Sequence, residues 1–558
     1  MINRDAYHHV RGESQYLDDI PVIHNTLYAS VLGSPIAHGK IESIDITEAA
    51  QMPGVVRILL ASDIPGQNQI GGIIADEPLL ADTHVHFCGM PMALVIAESE
   101  TLARQAVKKI KSTIKPLHVI TDPREAFKKN ELIIPPKKFT LGETKTAFNS
   151  CIHIFGGRAD INGQEHLYIE TQGAYCVPLE GNNIRVHSST QGPTAVQRAV
   201  SKVTGLAMHQ IEVDVTRLGG GFGGKEDQAN VWAALCALAT HITGRPVKYS
   251  LHRDEDMRMT GKRHPYSADY KIGLDEHYKI VAYDVVFFQN AGAAADLSPA
   301  VLERTLFHCT NSYYIPNVTA TAYSCRTHLP PNTAFRGFGG PQGMFVMESA
   351  IAHAAEKLNV SSAFIQEKNL LRKGDEFPYG QLAEREAIET WSSANERFNF
   401  EKLSEEADDF NRSNVNFKQG LAIMPICFGI SFTKTLMNQA RALVHVYTDG
   451  SVGVSTGAVE MGQGVNTKIQ QVVENIFSIP ASSINVHSTN TFRIANTSPS
   501  AASATADLNG KATQIACENI LARLKEVAIL ELNISAQPEQ IHLRDGDVYF
   551  NDEKTDLD

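Results

Sequence analysis

The sequence predicts an α+β protein of several domains. Three observations lead there. The chain has 558 residues, and domains come at about one per 150 residues. Alternating apolar and polar residues mark short strands that recur between helices carrying their own stop signals. Hydrophobic residues make up 43% and charged residues 20%, the balance of a soluble globular enzyme with a large core.

Taken in order, residues 1–115 read as one α+β module. Strands "TLYASVLGS" and "PMALVIAES" alternate with small helices "ITEAAQ" and "ETLARQAVKKI", the last with a Lys-rich outer face. Residues 116–148 mix Pro, Lys and extended residues without sustained periodicity and read as a connector strapped along the surface. Two larger blocks follow, 149–372 and 415–558, joined by a polar connector at 373–414.

The net charge of −12, from 50 basic and 62 acidic residues, leaves no footprint for DNA or RNA. The first residues contain no apolar signal segment, and no run of about 18 apolar residues occurs, so a cytoplasmic protein without a membrane span is expected. Eight cysteines are scattered without a CxxC pair. That argues against a zinc site, an iron–sulfur cluster or a disulfide framework within this chain.

The stretch "RLGGGFGGKEDQ" (217–228) fits two nucleotide-binding patterns at once. It lies between a strand, "HQIEVDVTRL", and a helix, "DQANVWAALCALATHITG", that ends on Gly244. A P-loop needs Ser or Thr after Lys225 to hold Mg²⁺, but Glu226 stands there. A dinucleotide fingerprint wants an acidic residue about 20 positions on, yet none occurs between Asp227 and Asp254. What remains is a backbone able to take positive φ and to approach a ligand closely, or a tight packing turn.

A faint internal echo links the two blocks. Gln191 and Gln463 each follow a strand, precede a helix of similar length, and lead to a strand with Ile and Val two apart (Ile211 and Val213; Ile484 and Val486). Each strand then runs into a loop of small residues, GGGFGG in one and "NTSPSAASATADLNG" in the other. A duplicated strand–helix–strand unit brings two such loops onto one ligand from opposite sides. Chance likeness of two amphipathic helices is the alternative.

Together "GGGFGGKE", "KRHPY", "NTAFRGFGGPQG", "VEMGQG" and "NTSPSAASATADLNG" resemble the molybdenum-cofactor subunit of xanthine dehydrogenases, within the xanthine oxidase family of molybdenum hydroxylases. The likeness runs in family order from about Tyr7 to the end of the chain. It implies an N-terminal α/β hammerhead-like domain and a two-part molybdopterin-binding region whose second part is incomplete. The implied ligand of the glycine loops is molybdopterin, or its cytosine dinucleotide, carrying molybdenum.

Position by position, the resemblance puts Gln191 near an oxygen ligand of the metal. It places Gly221, Phe222 and Gly223 along the cofactor, Gln463 on the pterin, Ala501, Ala502 and Ser503 as a small-residue wall, and Arg336 at the metal pocket. Glu226 and Arg304 match an acidic and a basic residue that hold a purine, where aldehyde oxidases carry apolar residues. Phe338 and Phe432 match a pair that sandwiches the heterocycle, and Thr433 matches a substrate contact. An ordinary structural ion pair is the residue-level alternative for Glu226 and Arg304. The cysteine-bearing loop of the carbon monoxide dehydrogenase branch has no counterpart.

The implied function is hydroxylation of hypoxanthine and xanthine to urate. Electrons then leave through 2Fe-2S clusters and FAD on a partner chain to NAD, in an α2β2-type hetero-oligomer. An aldehyde or other N-heterocycle hydroxylase, or a catalytically inactive subunit that only binds its partner, are the alternatives. The family's general-base glutamate, in a Gly-Glu-Pro-Pro segment, has no counterpart here. The chain therefore resembles a truncated large subunit, with weak or absent turnover expected from this polypeptide alone.

Overall fold

The computed structural model describes residues 3–557. Its largest layer is an eight-stranded sheet in the order Thr489–Asn490, Ile211–Val215, Asn183–Ser188, Gly173–Leu179, Val247–Ser250, Leu27–Gly33, Pro91–Ala97, Val55–Leu59. Pro91–Ala97 is buried at every residue, as an apolar run covered on both faces must be. Leu27–Gly33 pairs in parallel with Val247–Ser250, so strands from the first 115 residues and from the following block share one set of sheet hydrogen bonds. Helix Ala229–Thr243 lies against this sheet with its first twelve residues buried. It is apolar all round because it is covered all round, and Gly244 at φ 65° ends it.

A second, five-stranded sheet runs Lys137–Leu141, Asn317–Arg326, Ile280–Gly292, Tyr266–Leu274, His153–Ile161. Helices Ser298–Phe307 and Gly340–Leu358 pack on it. Part of the segment read as a surface strap is regular structure. Asp122 caps a helix at Pro123–Lys128, and "KKFTL" alternates half-buried and exposed residues along an edge strand. The surrounding Pro and Lys hid that five-residue alternation.

The internal echo is structural. In the first unit Asn183–Ser188 leads to helix Pro193–Thr204, a 3₁₀ turn at Met208–Gln210 and the parallel strand Ile211–Val215. In the second, Val452–Thr456 leads to Val465–Phe477, Ala481–Ser483 and Ile484–Val486, again in parallel. The same side-chain clamp recurs: Gln197 Nε2 donates to the carbonyls of Met208 and Ile211, and Gln470 Nε2 to those of Ala481 and Ile484. Two chance helices do not share a buried amide at matching offsets of 11 and 14 residues. Among the described residues no helix is long and apolar enough to cross a membrane.

Candidate functional site where two small-residue loops converge

The glycine loop is built around close backbone approach. Gly223 sits at φ 98°, and a Cβ there would lie 2.9 Å from the Ala334 carbonyl group. A Cβ on Gly224 would lie 2.7 Å from the His166 ring. His166 in turn bonds the Ala334 carbonyl through Nε2 at 2.7 Å and stacks on Phe335. Burial holds this imidazole neutral, with its pKa lowered to about 4. The Arg336 amide donates to the Phe222 carbonyl at 2.9 Å. "GGGFGG" and "AFRGFGG" are thus zipped together, with Phe222 at φ 53° and its ring exposed.

Lys225, the would-be phosphate lysine, is wholly buried. Its Nζ lies 2.9 Å from Glu170 Oε2, over the Tyr168 ring. The same carboxylate accepts the Gly219 amide and the Ser189 hydroxyl. Lys225 therefore pins the root of the loop and is out of reach of a phosphate. Glu170, missed in the sequence, has no local motif to announce it.

Gln191 joins this loop to the second unit. Its Oε1 accepts the Gly223 amide at 2.9 Å and its Nε2 donates to the Ser500 carbonyl at 2.9 Å. Its main chain bonds Lys225 and Ser500 as well. Ala502 and Ser503 follow at φ 57° and 53°, a left-handed pair that non-glycine residues adopt only where the surroundings enforce it. Ala502 O accepts the amide of Ser431, itself at φ 78°. The amides of Gly221, Phe222, Ala501 and Ala502 have no acceptor among the described residues.

The "VEMGQG" turn is drawn in by Val459 N donating to Ser500 Oγ and Leu218 N to Glu460 O. The exposed Gln463 side chain folds back on its own turn, bonding the Met461 amide and the Val459 carbonyl. The start of the helix after it is already occupied. The Glu460 carboxylate accepts the amides of Gly462, Gly464 and Asn466, so a negative charge already stands at this helix start.

Arg304 is buried on helix Ser298–Phe307 and donates to the carbonyls of Gly429 and Ser431. Two bonds leave three of its five N–H donors free. Glu226 is buried directly after the glycine loop and accepts no hydrogen bond among the described residues. Burial first, then the charges of Asp227 and Asp296, push its carboxyl well above the ordinary range. Both causes favour the protonated form, which can donate as well as accept. No ion pair joins Glu226 to Arg304 among the described residues.

Phe338, at φ 48°, and Phe432 are half-buried and stack on no other aromatic ring among the described residues. The Thr433 hydroxyl donates to Glu303 at 3.0 Å. The side chain of Arg336 is exposed, while Arg263 holds its carbonyl.

A trio of histidines, His38, His86 and His328, lies elsewhere with nitrogens within 4.8 Å of one another. His328 Nδ1 accepts the Ile120 amide, and its ring stacks on His38 with centroids 3.8 Å apart. Its Nε2 therefore carries the proton in the neutral ring, and stacked rings cannot share one in-plane metal. This trio is not arranged as a metal site.

Three family models match the chain. The a/b hammerhead domain of aldehyde oxidase and xanthine dehydrogenase matches residues 11–118, and two models of a molybdopterin cofactor-binding domain match 125–370 and 393–558. Xanthine dehydrogenase/oxidase from Mus musculus is 42% identical over 92% of this chain and 39% of its own length. Xanthine dehydrogenase 1 from Arabidopsis thaliana is 42% identical over 94% and 39%. The chain belongs to the xanthine oxidase family of molybdenum hydroxylases.

The chain spans about two fifths of the length of those relatives. Solved structures share its fold. Quinoline 2-oxidoreductase from Pseudomonas putida 86 matches with a TM-score of 0.85 at 23% identity, over 99% of this chain and 73% of that one. The aldehyde oxidoreductase from Desulfovibrio gigas matches with 0.84 at 24%, over 93% and 59%. The residues present fit the family's pterin. The unpaired amides at 221, 222, 501 and 502 are neutral donors suited to pterin edges and phosphate. The glycines leave the space that a side chain would fill.

Proposed function

We propose that this chain supplies the molybdenum-cofactor region of a xanthine dehydrogenase that hydroxylates hypoxanthine and xanthine to urate. The single observation that carries this reading is the Glu226 carboxyl, buried and without a hydrogen-bond partner among the described residues, with Arg304 buried but not ion-paired to it. A purine offers a ring nitrogen and a carbonyl oxygen that such a pair can engage; a simple aldehyde does not.

Gly221, Phe222, Gly223, Gln191, Arg336, Gln463 and the wall Ala501, Ala502 and Ser503 would hold molybdopterin, in its simple or cytosine dinucleotide form. Bound there, the cofactor supplies the oxygen-transfer and hydride-accepting chemistry. The chain's own residues do the rest. Glu226 shares its proton with a ring nitrogen and fixes the heterocycle's orientation. The free N–H groups of Arg304 stabilise negative charge that gathers on a purine oxygen. Phe338 and Phe432 confine the ring by offset and edge contacts. Electrons leave to 2Fe-2S and FAD centres on a partner polypeptide and then to NAD, within a cytoplasmic α2β2-type assembly.

Competition between xanthine and benzaldehyde in the assembled enzyme tests the assignment. Wild type is expected to favour xanthine, and Glu226→Val with Arg304→Met to reverse the order. Wild-type turnover of aldehyde alone overturns it in favour of the aldehyde-oxidising reading.

A further inference from the structure

Helix Ser298–Phe307 ends at a side chain that no motif singled out. His308 is buried. Its Nδ1 lies 2.8 Å from the Arg304 carbonyl and its Nε2 accepts the Gly429 amide at 3.2 Å. These two partners fix the tautomer: proton on Nδ1, lone pair on Nε2. From the same helix Arg304 donates to the carbonyls of Gly429 and Ser431. The segment Phe428–Thr433 is thereby gripped at its amide by one residue and at its carbonyls by the other.

The grip extends in both directions. The Phe428 ring lies 4.9 Å from His308, and a Cβ on Gly340 would come within 2.8 Å of it. The next residues reach the opposite wall, where Ser431 N donates to Ala502 O at 2.9 Å. No regular strand or helix runs through residues 414–434. Residues 428–431 are therefore held by these few bonds, and beyond them the Asn438 side chain bonds the Phe432 amide and carbonyl while Thr433 bonds Glu303 of the Arg304 helix.

We propose that His308 is a positioning residue. As a neutral imidazole it couples the Arg304 helix to the segment bearing Phe432 and Thr433, and so sets the distance between the basic wall and the aromatic wall of the substrate pocket. The pocket assignment rests on the proposed function; the coupling itself does not. Burial lowers the His308 pKa to about 4, so the lone pair needed for the Gly429 amide is present at neutral pH.

Hydrogen–deuterium exchange of the 558-residue chain reads the coupling without catalysis. His308→Gln places an amide oxygen where Nε2 was and retains the acceptor, whereas His308→Asn is too short to reach Gly429. The Asn variant is expected to exchange the amides of Gly429 and Ser431 about tenfold faster, with Gln near wild type. Gly340→Ala, which pushes on Phe428 from the other side, is expected to speed the same amides.

In the assembled enzyme, His308→Asn is expected to raise the KM for xanthine several-fold more than it lowers kcat, with partial rescue in Gln. Equal exchange in Asn, Gln and wild type overturns the coupling. Altered exchange with unchanged KM overturns the pocket-setting role. Failure of wild type to turn over xanthine leaves the exchange result intact and refutes only the proposed function.

Discussion

Gln191 Nε2 donates to the Ser500 carbonyl at 2.9 Å across 309 positions of sequence. With the Gly223 amide on its other end, this one amide side chain ties the small-residue loops of two repeated units into a single crevice. Gln191→Ala leaves a buried acceptor and a part-buried donor unpaired. It is expected to cost about 2–4 kcal/mol, seen as a lower urea midpoint with an unchanged m-value.

Gly223→Ala combines a left-handed backbone with a Cβ 2.9 Å from the backbone of Ala334. Neither neighbour can yield cheaply, so a loss of about 2–4 kcal/mol is expected. Gly205→Ala, also at positive φ but with nothing within 4 Å, is expected to cost about 1 kcal/mol. Thermal unfolding of the two variants side by side separates crowding from backbone strain.

The Lys225–Glu170 bridge should respond asymmetrically. After Lys225→Met, Glu170 still accepts from Gly219 and Ser189. After Glu170→Ala, a buried ammonium loses its ion-pair partner and keeps only the more distant Asp256 charge. Burial already lowers the Lys225 pKa despite Glu170. Glu170→Ala is expected to cost about 3–5 kcal/mol and Lys225→Met less, measured by urea unfolding. Equal losses would contradict the asymmetry.

Glu226 has a folded-state pKa raised well above its ordinary 4.5. The folded protein therefore keeps a proton that the unfolded chain releases, and the stability this gives is lost as pH rises from about 4.5 towards the folded value. Glu226→Gln removes that dependence. Its Tm relative to wild type is expected to climb with pH between 5 and 9. A flat difference would mean that the carboxyl is ionised in the fold.

How much of this was legible beforehand differs by element. The helix Ala229–Thr243, its Gly244 stop and the strand before the glycine loop were readable, because apolar periodicity and a left-handed cap are local signals. The repeat was visible only as an echo, since its confirming clamp, Gln197 and Gln470, depends on where carbonyls lie in space. Of the site residues, Gln191 meets Gly223 and Arg336 meets Phe222 through direct bonds, while Ala502 bonds Ser431. Arg304 and Thr433 were named from motifs, yet their partners Gly429, Ser431 and Glu303 follow from tertiary placement alone. Glu170, Glu460 and His308 escaped notice because a single Glu or His before a loop looks like any other.

The central claim is that the crevice bridged by Gln191 holds a molybdenum-bearing pterin. Molybdenum by elemental analysis and pterin by fluorescence, measured on the folded chain purified from a host that makes the cofactor, test it most directly. Near-stoichiometric loading in wild type, lost in Gly223→Ala and Gln191→Ala variants that remain folded, is the result expected. A folded wild-type chain free of both molybdenum and pterin, co-expressed with the proposed iron–sulfur partner, would contradict the account.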